Sequence, residues 1–115
     1  MKIKIVALKR NEEFKKLLTG RKLSNRYFVM FYKKLLKKES DYLNLSIVAK
    51  KKIFSKAVDR NFCKRRLKNV INQAIKKIAL NFNYSYLILA KDNVLNKNCF
   101  EDLKKIMFKE FNKIR

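Results

Sequence analysis

Histidine and proline are absent from this 115-residue sequence, and glycine occurs once. Histidine is the commonest general base and the commonest zinc ligand, so its absence removes the usual basis for acid–base catalysis or a zinc site. A single glycine cannot form the glycine-rich loop that cradles a nucleotide phosphate. Because no segment rich in proline or glycine divides the chain, and its length suits one small domain, we predict a single domain over residues 1–115.

Cysteine is scarce, and long apolar runs are missing. Cys63 and Cys99 are the only thiols, and two isolated cysteines form neither a CxxC site nor the disulfide framework of a secreted protein. No apolar run approaches the ~20 residues that a membrane-spanning helix needs, and the first residues lack the pattern of a signal peptide. We therefore expect reduced, buried thiols in a cytoplasmic protein.

Acidic residues are few, which makes the charge balance extreme. The sequence has 31 Lys and Arg residues against 9 Asp and Glu residues, a formal net charge of +22. A charge of this size repels itself and lowers the stability of a compact fold unless a polyanion binds. Nucleic acid is the first candidate for that polyanion, and an anionic membrane is the second.

Apolar and alternating runs predict the strands. Residues 27–32 are aromatic and apolar on both faces, and residues 43–49 alternate apolar and polar side chains, as a half-buried strand does. The simplest arrangement pairs these two strands as a hairpin. Residues 84–90 are almost continuously apolar, so we place this strand at the centre of the sheet. Residues 3–6 are either a further strand or only an arm.

Helical periodicity predicts three helices. The first covers roughly residues 11–19, and Gly20 is expected to end it in a left-handed conformation. The second, over residues 58–78, is amphipathic. Its apolar stripe consists of Cys63, Leu67, Val70, Ile71, Ala74 and Ile78. The third begins at Asn98, its expected N-cap. This order of elements indicates an α+β sandwich of helices packed on a small sheet.

The front of the second predicted helix carries cations and amides opposite its apolar stripe. Together with the two lysines before the helix they form a basic cluster, which consists of Lys50, Lys51, Arg60, Asn61, Lys64, Arg65 and Lys68. Each Lys or Arg that neutralises a phosphate releases counterions, and Arg can bind phosphate through two parallel hydrogen bonds. Such a surface suits a nucleic-acid backbone better than a small metabolite, and these residues alone leave RNA and DNA open.

Aromatic residues form a second candidate site. Phe14, with Phe31 or Tyr32, is placed to border a cleft beside the basic helix, where exposed rings would stack on unpaired bases. The alternative is that these rings belong to the core. Phe62 is a large apolar residue on the cationic front, and it either stacks on RNA or closes over the start of the helix. No catalytic constellation accompanies these residues.

Five segments, in order along the chain, resemble the protein component of bacterial ribonuclease P. They are LKRNEEF at 8–14, NRYFV at 25–29, VAKK at 48–51, AVDRNFCKR at 57–65 and YLILAK at 86–91. The match is collinear from about Leu8 to Phe111. The resemblance implies a single-domain α-β-β-β-α-β-α sandwich with a left-handed βαβ crossover.

The resemblance also implies a division of labour between protein and RNA. The RNA subunit, with Mg²⁺ that is bound mainly by the RNA, hydrolyses the phosphodiester at the 5′ end of mature tRNA. The assembly is therefore an endoribonuclease without protein catalytic residues. The protein binds the RNA subunit and holds the 5′ leader of precursor tRNA in a cleft between helix and sheet. The expected partners are this RNA and the leader, with no membrane and no small-molecule substrate.

The family's site positions can be carried over to this chain. The RNA-binding positions fall on the basic cluster, and the leader-cleft positions fall on Phe14, Leu18 and Phe31. The sequence departs from the family at Phe62, where Arg is common, and at Lys68, which keeps the charge of a usual Arg but loses its fork. The alternative functions are another small basic RNA-binding protein, such as a ribosomal protein, or a DNA-binding protein that places the helix in a major groove.

Overall fold

The structure is a computed structural model that describes residues 4–6, 18–34, 42–77, 84–96 and 98–114. Its strands are β1 (Lys4–Val6), β2 (Arg21–Ser24), β3 (Phe28–Lys34), β4 (Tyr42–Val48) and β5 (Tyr84–Ala90). Its helices are α1 (Ala57–Lys77), a short 3-10 helix (Asp92–Leu95) and α2 (Phe100–Asn112). The second and third predicted helices and the three main predicted strands are confirmed.

The five described strands form one mixed sheet in the order β1-β4-β5-β3-β2. β5 lies at the centre, as its apolar residues on both faces predict, between parallel β4 and antiparallel β3. β1 pairs parallel with β4, and β2 pairs antiparallel with β3. Because β4 and β5 are parallel neighbours joined through α1, they form the expected βαβ crossover, whose left-handed sense stays a prediction.

Helices α1 and α2 cover one face of the sheet. Alternate residues of a strand point to opposite faces. Met30 and Ile88 are register partners, and both are fully buried in one cluster with Leu67 of α1. Tyr86 meets Phe111 of α2 edge to face, with the ring centroids 5.4 Å apart. This packing is the α+β sandwich expected from the order of elements, and it holds α1 by its apolar side.

The predicted hairpin between residues 27–32 and 43–49 is wrong. β3 pairs with β5 and β2, whereas β4 pairs with β5 and β1. An alternating pattern specifies which face of a strand is buried, but it does not specify which strand lies beside it. Because β5 is apolar on both faces, its place between β3 and β4 buries surface that a direct hairpin would leave at the edge of the sheet.

Strand β2 has no counterpart among the predicted strands. Its four residues include one apolar side chain, Leu23, and the other three are exposed. An edge strand of this kind is held by backbone hydrogen bonds to β3, and its charged residues protect the edge from further pairing. At the opposite edge, β1 shows that residues 4–6 form a strand and not an arm, and Ile3 lies outside the described residues.

The start of α2 differs from its predicted cap. Cys99, not Asn98, is the N-cap residue, and it makes no side-chain capping bond. The amide of Asn98 instead donates to Oδ1 of Asn96 at 3.0 Å, and this turn moves the start of the helix by one residue. Glu101 and Asp102 still lie in the first turn, where negative charge stabilises a helix.

The end of the first predicted helix is only partly described. Leu18 is helical, and residues 11–17, with Phe14 among them, lie outside the described residues. Gly20 was expected to be left-handed, and this expectation is wrong because its φ is not positive. The chain passes directly from Gly20 into β2, so no reversal at a left-handed residue is needed. Across the described part of the chain, no helix is long and apolar enough to cross a membrane.

Candidate nucleic-acid interface

Helix α1 presents most of the basic cluster on its exposed side. Asp59 lies in its first turn and two lysines lie in its last turn, an arrangement that suits the helix dipole. The exposed members of the basic cluster on α1 are Asn61, Lys64, Arg65 and Lys68. They occupy about 10 Å of the helix axis, so this exposed group is compact and separate from the two lysines of the last turn.

Lys50 and Lys51 lie exposed in a tight turn just before α1. The backbone N–H groups of Ile53 and Phe54 both donate to the carbonyl oxygen of Lys50, at 3.1 and 2.9 Å. The Phe54 side chain is 2% exposed and belongs to the core. The buried Phe54 therefore anchors the turn to the core, and the turn holds both lysines near the start of α1.

Arg60 differs from the other cations of the basic cluster because it is half-buried and bonded within the protein. Its Nη1 donates to the carbonyl oxygens of Phe54 and Ser55, at 2.9 and 3.2 Å. These bonds tie the lysine-bearing turn to the first turns of α1. Arg60 therefore positions Lys50 and Lys51, a role that no sequence pattern indicated.

Arg66 is a second arginine whose partners no sequence pattern indicated. Three acceptors lie within hydrogen-bonding distance of its Nη1: the carbonyl oxygens of Val94 at 2.9 Å and Asn96 at 2.6 Å, and Sγ of Cys99 at 3.2 Å. These contacts join α1 to the 3-10 helix and to the start of α2. Arg66 is next to Arg65 in sequence, but it points inward.

Phe62 packs against Arg66 and remains partly exposed. The guanidinium carbon of Arg66 lies 4.4 Å from the Phe62 ring centroid, a cation–π distance. The Phe62 side chain is still 41% exposed. The i,i+4 spacing of the two residues was the sequence signal for this contact, because residues four apart are neighbours on a helix.

The aromatic candidates on β3 fall on opposite faces of the sheet. Tyr32 belongs to the core beneath the helices. Phe31 points to the other face, where it is half-buried and the Lys22 ammonium lies 5.9 Å from its ring centroid. The predicted position of Phe31 beside the basic helix is wrong because the sheet lies between them. Leu18, the other described leader-cleft candidate, is 52% exposed.

The carboxylates with described partners make structural contacts away from α1. Asp102 accepts hydrogen bonds from the Tyr27 hydroxyl at 2.7 Å and from Arg26 at 3.2 Å, and the bond to Asp102 raises the pKa of Tyr27. Glu110 is buried and pairs with Lys113 at 3.4 Å. Within the described ranges, no group of three or more metal-ligating side chains is placed to hold a metal ion.

The Cys63 thiol is expected to be inert in the folded protein. Burial, assisted by the charge of Asp59, raises its pKa from 9.0 to about 11, and only the thiolate is a good nucleophile. At pH 8 a thiol reagent should therefore label Cys63 about 100-fold more slowly in the native protein than in denaturant. Peptide mass mapping would assign the label. Equal rates in both states would contradict the burial of this thiol.

The sequence is similar to those of a known protein family. The family model for ribonuclease P matches residues 4–115. One similar relative is the ribonuclease P protein component of Mycoplasma mobile, 32% identical over 104 residues that cover 87% of this chain and 85% of the relative. Another is the ribonuclease P protein component of Carboxydothermus hydrogenoformans, 33% identical over 104 residues that cover 88% of this chain and 84% of the relative.

Solved structures show the same fold. The ribonuclease P protein of Thermotoga maritima superposes with a TM-score of 0.77 at 21% identity, over 96% of this chain and 98% of that chain. The ribonuclease P protein of Staphylococcus aureus superposes with a TM-score of 0.69 at 24% identity, over 94% of this chain and 93% of that chain. With the family match along nearly its whole length and relatives above 30% identity, this chain belongs to the ribonuclease P protein family.

Proposed function

We propose that this chain is the protein subunit of ribonuclease P, an endoribonuclease, and that the exposed side of α1 binds the RNA subunit during removal of the 5′ leader from precursor tRNA. The observation that carries the proposal is the side of α1 that bears Asn61, Lys64, Arg65 and Lys68, all exposed. Both ion pairs among the described residues lie elsewhere, at Arg26–Asp102 and at Glu110–Lys113. The exposed cations Lys64, Arg65 and Lys68 therefore have their charge available for phosphates.

The anchoring of this surface supports binding to a structured RNA. Arg60 and Arg66 each use Nη1 inside the protein, one to the turn before α1 and the other to the 3-10 helix and the residue after it. The exposed cations Lys64 and Arg65 lie between these two arginines, so the part of α1 that carries them is tied to the rest of the fold on both sides. A rigid set of cations loses less conformational freedom on binding than flexible side chains on a loop.

The 5′ leader is proposed to bind on the other face of the sheet. Phe31 points to that face with Lys22 above its ring, and Leu18 is exposed shortly before β2, the strand that pairs with β3. A ring stacks on an unpaired base with little sequence preference, and a lysine beside it attracts the adjoining phosphate. The protein would then contact the RNA subunit and the leader on opposite sides of its sheet.

Catalysis is assigned to the RNA subunit in this proposal. The described residues offer no cluster of carboxylates that would hold Mg²⁺, so the donor set in this part of the chain does not fit a catalytic magnesium site. The phosphates of the RNA are oxygen ligands of the kind that Mg²⁺ prefers. The protein contributes positive charge, which lowers the repulsion between two polyanions, the catalytic RNA and the precursor tRNA.

The test is cleavage of a precursor tRNA at low Mg²⁺ by the cognate ribonuclease P RNA, with and without this protein. We expect strong stimulation that requires the RNA subunit and that is reduced for a substrate without a leader. Cleavage by the protein alone would overturn the assignment of catalysis to RNA. Tight RNA binding without any stimulation would instead indicate another small basic RNA-binding protein, such as a ribosomal protein.

A further inference from the structure

Phe62 and Arg66 form a pair on α1 that lies outside the basic cluster. The guanidinium of Arg66 is held by the carbonyl oxygens of Val94 and Asn96 and by the thiol of Cys99. The Phe62 ring rests on this fixed guanidinium at 4.4 Å. The ring is therefore supported from below by a group that cannot move away without breaking three contacts.

Arg66 leaves part of Phe62 uncovered. Arg66 lies over one face of the ring, and the residue is 41% exposed. Val58, one turn earlier on the helix, is 77% exposed. A flat, fixed and partly exposed ring on a charged helix is a surface on which another planar group can stack.

The charge beside the ring indicates which planar group would bind. Arg65, three residues further along α1 and so a neighbour of Phe62 on the helix surface, is exposed and takes part in no described ion pair. A nucleotide brings both a planar base and a phosphate, so it satisfies the ring and this cation together. An apolar protein segment would cover the ring but would leave the cation unpaired.

We propose that the Phe62 ring, backed by Arg66, is a stacking platform for an unpaired nucleobase of the RNA subunit. The inference rests on the proposed function, since it names one contact within that interface. Stacking of a base on Phe62 is a different interaction from the phosphate contacts of the basic cluster. Phosphate contacts release counterions and depend steeply on salt, whereas a stacked base adds affinity that is largely independent of salt.

The first experiment is a salt series of RNA-binding affinity for the full-length protein and four variants, with the cognate ribonuclease P RNA. We expect Phe62→Ala to weaken binding by roughly 5- to 140-fold, the range of a lost base stack, with no change in the slope of log K against log salt. Phe62→Leu should weaken RNA binding by a similar factor because leucine is apolar but cannot stack on a base. Val58→Ala should bind within about twofold of the wild type, and Lys64→Ala should lower the slope by about one.

A second experiment detects the base directly. The sequence contains no tryptophan, so Phe62→Trp places a single indole on Arg66 and should keep the stack. Its fluorescence should be strongly quenched and protected from acrylamide when the RNA subunit binds. Val58→Trp is the matched control, an exposed indole one turn away, and it should show little of either effect. Thermal unfolding of each variant confirms that binding is measured on folded protein.

The outcomes separate this inference from the function on which it rests. If the wild type binds the RNA while Phe62→Ala binds as tightly, or Phe62→Leu restores full affinity, the stacking platform is overturned and the proposed function stands. Equal quenching at positions 58 and 62 would also overturn it. If the wild type fails to bind its cognate RNA, the proposed function fails first, and the inference fails with it.

Discussion

Replacement of Arg65 by glutamate should weaken binding of the ribonuclease P RNA by about 10- to 100-fold near 0.1 M salt. Arg65 is exposed on α1, and no described ion pair uses it. The change removes one phosphate contact and places a negative charge against the RNA backbone. The slope of log K against log salt should therefore fall by about one to two. Binding isotherms over a salt series measure both quantities.

Lys76→Glu is the matched control for Arg65→Glu. It makes the same change of charge in the last turn of the same helix, about 16 Å further along its axis. This separation exceeds the Debye length of about 10 Å at 0.1 M salt, so the control should lose only a few-fold in affinity. If both variants lose affinity equally, the effect comes from net charge alone, and the assignment of the interface to residues 61–68 of α1 is wrong.

Arg66→Met should lower the free energy of unfolding by about 2–3 kcal/mol. The substitution keeps an apolar side chain of similar length but removes the donor that reaches Val94, Asn96 and Cys99. It also removes the cation beneath the Phe62 ring. Urea unfolding followed by far-ultraviolet circular dichroism measures the loss, and the midpoint should fall at nearly unchanged slope.

Arg65→Met is the control for this stability measurement. Arg65 is exposed, so its replacement by Met should change the free energy of unfolding by no more than about 0.5 kcal/mol. Substitution of Arg65 should thus weaken RNA binding with little effect on the free energy of unfolding, whereas substitution of Arg66 should lower the free energy of unfolding. An unchanged midpoint for Arg66→Met would show that the bonds between α1 and the start of α2 do not contribute to folding.

The contrast between Arg65 and Arg66 shows how far the sequence alone could define the site. Successive residues of a helix are about 100° apart, so the periodicity of α1 distinguishes its charged side from its apolar side. It does not reveal that Arg66, at the boundary of the two sides, finds acceptors about thirty residues away in sequence. The same holds for Arg60, whose partners lie in an irregular turn without a recognisable pattern.

The strands show a similar division. The apolar run of β5 was sufficient to place it at the centre of the sheet, because only a strand covered on both faces is apolar on both. The neighbours of β3 and β4 were not predictable in this way. The false hairpin came from assuming that strands adjacent in sequence pair, whereas the observed order brings β5 between them. Phe31 was misplaced for a related reason, since its face depends on which side of the sheet the helices cover.

Composition and local pattern by themselves determined that this is a strongly basic α+β protein with a cationic helix suited to a nucleic-acid backbone, and five short segments were sufficient to suggest its family. These properties depend on residue types and on their spacing along one element, both of which are visible in the chain. Only the tertiary structure decided which arginines face outward and which strands pair. Each of these depends on acceptors or neighbours distant in sequence, and packing alone brings such groups together.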